Sequence, residues 1–355
     1  MQKLWIVVPM YNGAQDVPDF CESLKQCTEQ GSYTLVGVDD CSPDNSADLL
    51  RTSCPQAIVL RNAKNSGFAG ACNTGMRYGI EHGAQYVMLA NQDLRFLPNW
   101  RDPLISLLDS DASLGAVQPK ILMYPDTTLI NSCGNELHIL GFGYTRGYLK
   151  KNSEFFCDGV RDVGYCSGAA VIYRIDVLRR IGLLDEKFFM YHEDSDICWR
   201  MQQAGYRTVV SPLSVVAHRY EFSRSIQKFY YIERNRLLMM LKNYQLKTLV
   251  LLAPLFLFWE CSIVAYSIIG LLSRKNTVIR VKEKIKSYAF FLKPSIWAYI
   301  ARERKKSAPL RVKQDADIMR HFTCDIAFQD VDSPIIRNVA NPITRWYWKC
   351  IKRFV

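Results

Sequence analysis

An α/β fold built on a mainly parallel sheet is predicted by three features of the sequence. Short β-rich runs recur at Leu4–Val8, Tyr33–Val38, Ile58–Leu60 and Tyr86–Ala90. Each is followed by polar or glycine-rich residues, and helix-compatible segments lie between the runs, giving strand–loop–helix repeats. Asp39, Asp93 and the small-residue stretch Gly67–Gly75 all fall just after such runs, where open parallel sheets bind their ligands. A chain of 355 residues accommodates one large domain of this kind plus an appendage.

In chain order, LWIVV breaks at Pro9, Tyr11 and Asn12, which puts a loop at the carboxyl end of a first buried strand. Residues 16–30 suit a crossover helix. The second run ends in the acidic, turn-rich DDCSPDNS (39–46), where Asp44 or Ser46 caps a helix through Arg51; the stretch reads either as a capped turn or as a ligand loop. NSGFAGACNTG (65–75) carries small residues every two or three positions, so backbone can approach a ligand closely, as in phosphate-cradling loops. It is neither GxGxxG nor a P-loop. The fourth run ends in Asn91-Gln92-Asp93, and a carboxylate there, beside two other ligand loops, suits a hard divalent cation held together with a diphosphate.

The segment FFMYHEDSDICWRMQQAGYR (188–207) gathers Glu193, Asp194 and Asp196 within four residues. Ile197, Met201 and Ala204 recur at helical spacing and Gly205 is placed to end the helix. Asp194 then sits at or just before the first turn, where free N–H groups and the helix dipole favour an ionised carboxylate. There it is suited to take a proton from a substrate hydroxyl. An acidic N-cap gives the same local pattern; the carboxylate motifs upstream favour the base. GYCSGAAVIYR (164–174) reads as a loop and strand bringing Ser167 and Gly168 toward an acceptor, or as a tightly packed small-residue strand. Residues 122–160 read as irregular strands and loops.

Composition adds boundaries. Apolar residues make up 49% and charged residues 22%, a globular balance. Twelve cysteines without a CxxC pair, and an N-terminus without an apolar core of signal-peptide length, point to a reducing cytosol with cysteines as small core residues. Of the net charge of +11, an excess of eleven lies between Arg274 and Lys313, where thirteen Lys/Arg face two acids. Such a block suggests a polyanion, and the apolar Thr248–Ser273 stretch before it favours anionic lipid over nucleic acid. That stretch is long enough to cross a bilayer but contains Pro254 and Glu260. A single span would put the basic block and the first domain on opposite sides, so a re-entrant or interfacial helical pair is expected, with the basic segment on anionic headgroups. The chain thus divides into residues 1–243, a membrane-associated region 244–313, and a tail 314–355 whose Trp346, Tyr347 and Trp348 read as an interfacial anchor or a packed end.

Taken together, VVPMYN, DDCSPDNS, NSGFAGACNTG, ANQD, CSGAAVIYR, GLLDEKFFMYHEDSDICWRMQQAGYR and VVAHRY stand in an order and spacing that resembles the inverting glycosyltransferases of family 2, with the GT-A fold. The resemblance covers residues 4 to 243 and is greatest to bacterial rhamnosyltransferase-type members that build O-antigen and other surface polysaccharides. It implies a nucleotide-sugar donor contacted by Pro9, Tyr11, Asn12, Asp39, Gly67, Asn73, Asn91 and Asp93. It implies Asp93 as the retained carboxylate of a metal-binding DxD element whose first Asp is here Asn91, with His218 completing the shell of a Mg²⁺ or Mn²⁺ ion. It further implies Asp194 as catalytic base, and Glu193, Ser167 and Gly168 on the side of a lipid-linked glycan acceptor at the cytoplasmic face of the inner membrane. A polyprenyl-phosphate sugar synthase, a non-catalytic sugar-nucleotide-binding protein and a basic polyanion binder are the alternative readings.

Overall fold

The computed structural model describes residues 3–29, 31–155, 157, 159–220, 228–271, 276–326 and 336–355, with side chains described outside 263–271 and 276–280. Contacts divide the chain into two units, residues 1–136 with 145–220, and residues 137–144 with 221–355. The sequence division falls instead at 243.

The first unit opens with β1 (Leu4–Met10), α1 (Val17–Cys27), β2 (Thr34–Asp39), α2 (Ser46–Ser53), β3 (Ile58–Arg61), α3 (Gly67–Glu81) and β4 (Tyr86–Ala90). These are the predicted strand–loop–helix repeats. β5 (Leu94–Phe96), α4 (Asp102–Ser110), β6 (Leu114–Met123) and β7 (Ile130–Ser132) follow; the short strands β8 (Asn135–His138) and β9 (Gly143–Thr145) are each divided between the two units, and β10 (Arg161–Asp162) belongs to the first. The unit closes with β11 (Ala170–Arg174), α5 (Ile175–Ile181), α6 (Glu193–Gln203) and β12 (Arg207–His218).

The main sheet runs β10-β12-β6-β11-β4-β1-β2-β3. β1 pairs in parallel with both β2 and β4, and β2 with β3. β11 enters antiparallel between β4 and β6, and β12 lies parallel to β6. This topology gathers the carboxyl ends of β1, β2, β4 and β12, and the amino end of β11, along one edge. Leu4 through Val8 are all buried because helices cover both faces, as a parallel sheet requires. Ile6, Val8 and Met10 join Phe20 and Leu24 of α1 in one core cluster, while Val7 lies on the α3 side.

Two expectations are corrected here. The Gly67–Gly75 stretch is the start of α3 and not a loop: a side chain at Gly75 would come within 2.4 Å of Val7 Cγ1, so the small residues serve close helix–sheet packing. The cysteines are not all free, since Cys133 and Cys157 form a disulfide.

In the second unit α7 (Phe229–Asn243), α8 (Leu246–Leu271), α9 (Asn276–Ala289), α10 (Pro294–Ser307), α11 (Asp315–Ile318) and α12 (Asn341–Ile351) follow one another. β13 (Phe322–Thr323) pairs in parallel with Leu137 and His138. Among the described residues no helix is long and apolar enough to cross a membrane. Part of the apolar surface of α8 is packed internally: Leu252, Leu255 and Trp259 are buried, and Trp259 Nε1 donates to Thr344 Oγ1 at 3.0 Å.

Glu260, which reads in the sequence as an awkward charge in an apolar run, has a physical explanation. Arg236 Nη2 lies 3.0 Å from Glu233 Oε2 and 2.6 Å from Glu260 Oε1. Lys284 Nζ lies 2.8 Å from both Glu233 and Glu260. All four side chains are buried, and Arg236 also donates to the Leu140 carbonyl and stacks over Phe142. The two acids and two bases neutralise one another out of water.

Candidate active site

At the end of β1 the chain turns through Pro9, the exposed Tyr11 and Asn12, which adopts a positive φ of 52°. Gln92 clamps this loop: its Oε1 accepts from Tyr11 N at 3.1 Å and its Nε2 donates to the Tyr11 carbonyl at 3.0 Å. Asn12 N donates to Ser42 Oγ, and Ala14 N to Asp44 Oδ2, which ties the loop to the DDCSPDNS stretch. Four hydrogen bonds from Ala14, Ser42 and Ser46 converge on Asp44. Burial raises its carboxyl, and these bonds overcome that effect and lower it to about 2. Asp39 is buried at the end of β2, accepting from Ser42 N at 2.8 Å and lying 3.3 Å from Arg61 Nε.

One strand further along, Asp93 and His218 meet just beyond β4 and at the end of β12. Asp93 Oδ1 is 3.0 Å from His218 Nε2, and the Asn91 amide nitrogen lies 3.3 Å from the same ring nitrogen. On its other side His218 Nδ1 is 3.4 Å from Asn131 Oδ1. A carboxylate oxygen and an imidazole nitrogen converging in this way fit a Mg²⁺- or Mn²⁺-type ion. They fit it as part of a shell and not as a cage: no group of three or more His, Cys, Asp or Glu that could hold a metal occurs among the described residues.

The adjacent strand leads to Asp194. Asn91 N donates to the Ala169 carbonyl at 3.0 Å, which joins the end of β4 to the start of β11. Gly168 N then donates to Asp194 Oδ2 at 3.0 Å, and Ser195 N to Asp194 Oδ1 at 2.7 Å. Asp194 stands in the first turn of α6. Burial raises its carboxyl above the usual range, and the Gly168 and Ser195 N–H groups offset part of that rise. The turn leading into α6 is strained: Phe189, Tyr191 and His192 have φ of 65°, 66° and 67°, a region that non-glycine residues enter at a cost. The three acids of the cluster differ sharply. Asp196 is buried and bonded to Arg200 at 2.9 Å, and Arg200 also donates to the carbonyls of Ile181, Gly182 and Leu183. Glu193 is only 5% exposed, its Oε2 has no hydrogen-bond partner, and burial pushes its carboxyl well up.

Asp39, Asn91, Asp93, His218, Ser167, Gly168 and Asp194 thus share one sheet edge with the Pro9–Asn12 loop. Gly67 and Asn73 are occupied elsewhere. Gly67 N donates to Asp40 Oδ2 at 2.9 Å, and a side chain at Gly67 would come 2.4 Å from the Phe189 carbonyl; its lack of one lets the strained turn pass. Asn73 is buried, with its amide donating to Leu184 O and Glu186 Oε1 and accepting from Leu184 N. Glu193 is buried in protein. Sequence reasoning missed Gln92, Asp40 and Asn131. Gln92 carried a signal, an uncharged polar residue inside the strand-end motif. The other two act through tertiary contacts with no local pattern.

With this geometry in place, comparison with known proteins is direct. The profile described as Glycosyl transferase family 2 matches residues 5–182, half of the chain. The chain belongs to family 2 of the glycosyltransferases and is a glycosyltransferase of GT-A-like fold. The N-acetylglucosaminyl-diphospho-decaprenol L-rhamnosyltransferase of Mycobacterium tuberculosis (strain ATCC 25618 / H37Rv) is 27% identical over 233 residues, covering 60% of this chain and 75% of that protein. Among solved structures, GalNAc-T7 with UDP, GalNAc and Mn²⁺ superimposes with a TM-score of 0.56 at 14% identity, over 70% of this chain and about half, 49%, of that one. The mannosyltransferase PcManGT from Pyrobaculum calidifontis, in complex with GDP-Man and Mn²⁺, gives 0.50 at 15% identity over 86% of each chain. At these identities the structural likeness speaks to fold alone.

Proposed function

We propose that this protein is an inverting glycosyltransferase that moves a sugar, with rhamnose the expected one, from a nucleotide-diphosphate donor to a hydroxyl of a lipid-linked glycan at the inner face of the cell membrane, in the synthesis of a surface polysaccharide such as O-antigen. The observation that carries the reading is Asp194, held on Gly168 N–H one strand away from the Asp93–His218 pair. A carboxylate with its basicity raised by burial, beside a site suited to a diphosphate, is what a single in-line displacement needs. Asp194 takes the proton from the acceptor hydroxyl as its oxygen bonds to the anomeric carbon, and the nucleotide diphosphate leaves with the electron pair of the broken bond. Asp93 and His218 would hold a divalent ion, which would supply positive charge against the leaving diphosphate. Asp39 and the Gln92-clamped Pro9–Asn12 loop face the nucleotide. The lipid-linked acceptor is supported by the name of the mycobacterial relative, and contact with an anionic membrane surface by the basic block 274–313.

Purified protein incubated with radiolabelled nucleotide sugars, Mn²⁺ and lipid-diphosphate-linked glycans tests this. The expected product is an extended lipid-linked glycan. Label appearing instead on polyprenyl phosphate would assign the chain to the polyprenyl-phosphate sugar synthases, and free sugar alone would remove the acceptor from the reading.

A further inference from the structure

Among the described residues, large apolar side chains exposed to water concentrate in the second unit, and the most exposed of them is Leu292, at 82%. It lies on the 3₁₀ turn Phe290–Leu292 between α9 and α10. Trp297, 50% exposed on the first turns of α10, completes the elbow. Its indole N–H donates to the Phe291 carbonyl at 2.8 Å, and its ring lies 6.4 Å from that of Phe291. Phe290 faces the other way, under the Arg234 guanidinium at 5.0 Å, and Ile296 is buried. The turn is therefore fixed from behind while Leu292 and Trp297 stand out in front. An indole whose only donor is already used has no polar demand left on its exposed face.

The stretch that carries the elbow has a positive net charge. Lys282, Lys286, Lys293, Arg302, Lys305 and Lys306 are exposed. The two acids of the same stretch are already engaged, Glu283 by Lys286 and Glu303 by Arg302 and Lys306. An exposed Leu–Trp pair in a stretch of positive net charge, with exposed bases before, beside and after it in sequence, is the chemistry of the water–hydrocarbon boundary of an anionic bilayer.

We infer that the Leu292–Trp297 elbow is an interfacial anchor: Leu292 and Trp297 enter the headgroup–acyl boundary of an anionic bilayer while Lys293 and the exposed bases of the same stretch meet lipid phosphates. This deepens the membrane-surface part of the proposed function and rests on it. The anchor places the enzyme where a lipid-linked acceptor resides.

The test uses the full chain, sedimented with vesicles of equal parts phosphatidylglycerol and phosphatidylcholine and with vesicles of phosphatidylcholine alone. Binding is expected to the anionic vesicles and to weaken with added salt. Leu292→Asp and Lys293→Glu are each expected to lower the partition coefficient roughly tenfold or more, and Trp297→Phe to remove the component of tryptophan emission that brominated lipid quenches. Hydrolysis of the nucleotide-sugar donor, measured on the same samples, is expected to be unchanged by all three substitutions. Binding that survives both Leu292→Asp and Lys293→Glu, or that is equal on the two kinds of vesicle, overturns the anchor. Absence of wild-type binding overturns the anchor and the membrane-surface reading together. Donor turnover that is absent while vesicle binding follows the expected pattern sinks the glycosyltransferase mechanism and leaves the anchor standing.

Discussion

Two pairs of buried carboxylates in this chain behave in opposite ways. In the second unit Glu233 and Glu260 are closed in by Arg236 and Lys284. Burial raises both carboxyls, but the two positive charges overcome it and bring Glu233 down to about 2 and Glu260 below its ordinary range. In the first unit Glu193 and Asp194 are raised, chiefly by burial, with N–H donors on Asp194 and, among the described residues, no salt-bridge partner for either. Burial is common to both pairs, so what differs is whether counter-charge was supplied. A structural cluster is neutralised internally, whereas a base has to keep its appetite for a proton. The contrast locates chemistry more sharply than the acidic run 193–196 does by itself, because Asp196 in that run is paired with Arg200 and is structural by the same criterion.

The comparison breaks first at Asp194. Asp194→Asn removes the basicity, and loss of a general base lowers kcat by about 10²–10⁴-fold. Nucleotide-sugar affinity is expected to stay as it was, because Asp39 and Asp93 lie on the other strands. One oxygen of Asp194 faces each of two N–H groups, so the new amide opposes one of them and a small drop in Tm accompanies the loss. Steady-state kinetics with titration calorimetry of the donor checks this; normal turnover would place the base elsewhere. On the other side of the comparison, Arg236→Met leaves two buried carboxylates with only Lys284. Breaking a buried pair from one side destabilises by about 3–5 kcal/mol, read as a lower urea midpoint, with donor affinity unaltered. A variant that melts like the wild type would mean that the cluster is hydrated.

Gly67→Ala is expected to have a smaller effect. Its methyl group would press on the Phe189 carbonyl at 2.4 Å, and Gly67 has φ of 75°. Relieving that clash shifts the strained turn before α6, at a cost of about 1–3 kcal/mol. The expected signature is a lowered kcat with little change in donor Kd, since the turn carries Asp194 and not the nucleotide loops. A variant with an altered donor Kd and an intact kcat would tie Gly67 to the nucleotide after all.

Much of the first unit was legible because periodicity and punctuation agree there. Tyr86–Ala90 is a strand with the boundaries its apolar run suggests, and the 188–207 segment yields a helix ending before Gly205. Asp39, Asp93 and Asp194 come to one edge because parallel topology places strand ends together, a rule that sequence can invoke. What was illegible depended on partners distant in the chain. The glycines of α3 look like a loop until the sheet they press against is known. Glu260 looks like an obstacle to membrane insertion until Arg236 and Lys284 are seen 24 residues on either side. The burial of Glu193 is hidden for the same reason, since its neighbour in sequence, Asp194, reaches the Gly168 N–H.

The smallest effect concerns the pH dependence of that buried glutamate and gives the comparison its sign. Glu193 is raised in the folded state, so between the ordinary carboxylate pKa of about 4.3 and its folded value the native protein holds a proton that the unfolded chain has released. Its stabilisation is complete below the unfolded pKa and is lost as pH rises through the folded one, with a limiting slope of about 1.4 kcal/mol per pH unit for one proton. Glu233 runs the other way. Its pKa is lowered to about 2, so its contribution is complete above the unfolded value and is lost as pH falls toward about 2. Glu193→Gln removes the first dependence and leaves the second. Stability followed by urea unfolding across the range from acid to mildly alkaline pH is then expected to decline less on the alkaline side in Glu193→Gln than in the wild type, with the acid limbs superimposed. Part of the residual alkaline slope belongs to Asp194 and should be lost when Asp194→Asn is added; the rest belongs to thiols and phenols that burial also raises, Cys72, Cys166, Tyr165 and Tyr173 among them. Identical curves for wild type and Glu193→Gln would mean that Glu193 is ionised and compensated in the folded protein, and the distinction between the two pairs of carboxylates would then rest on Asp194 alone.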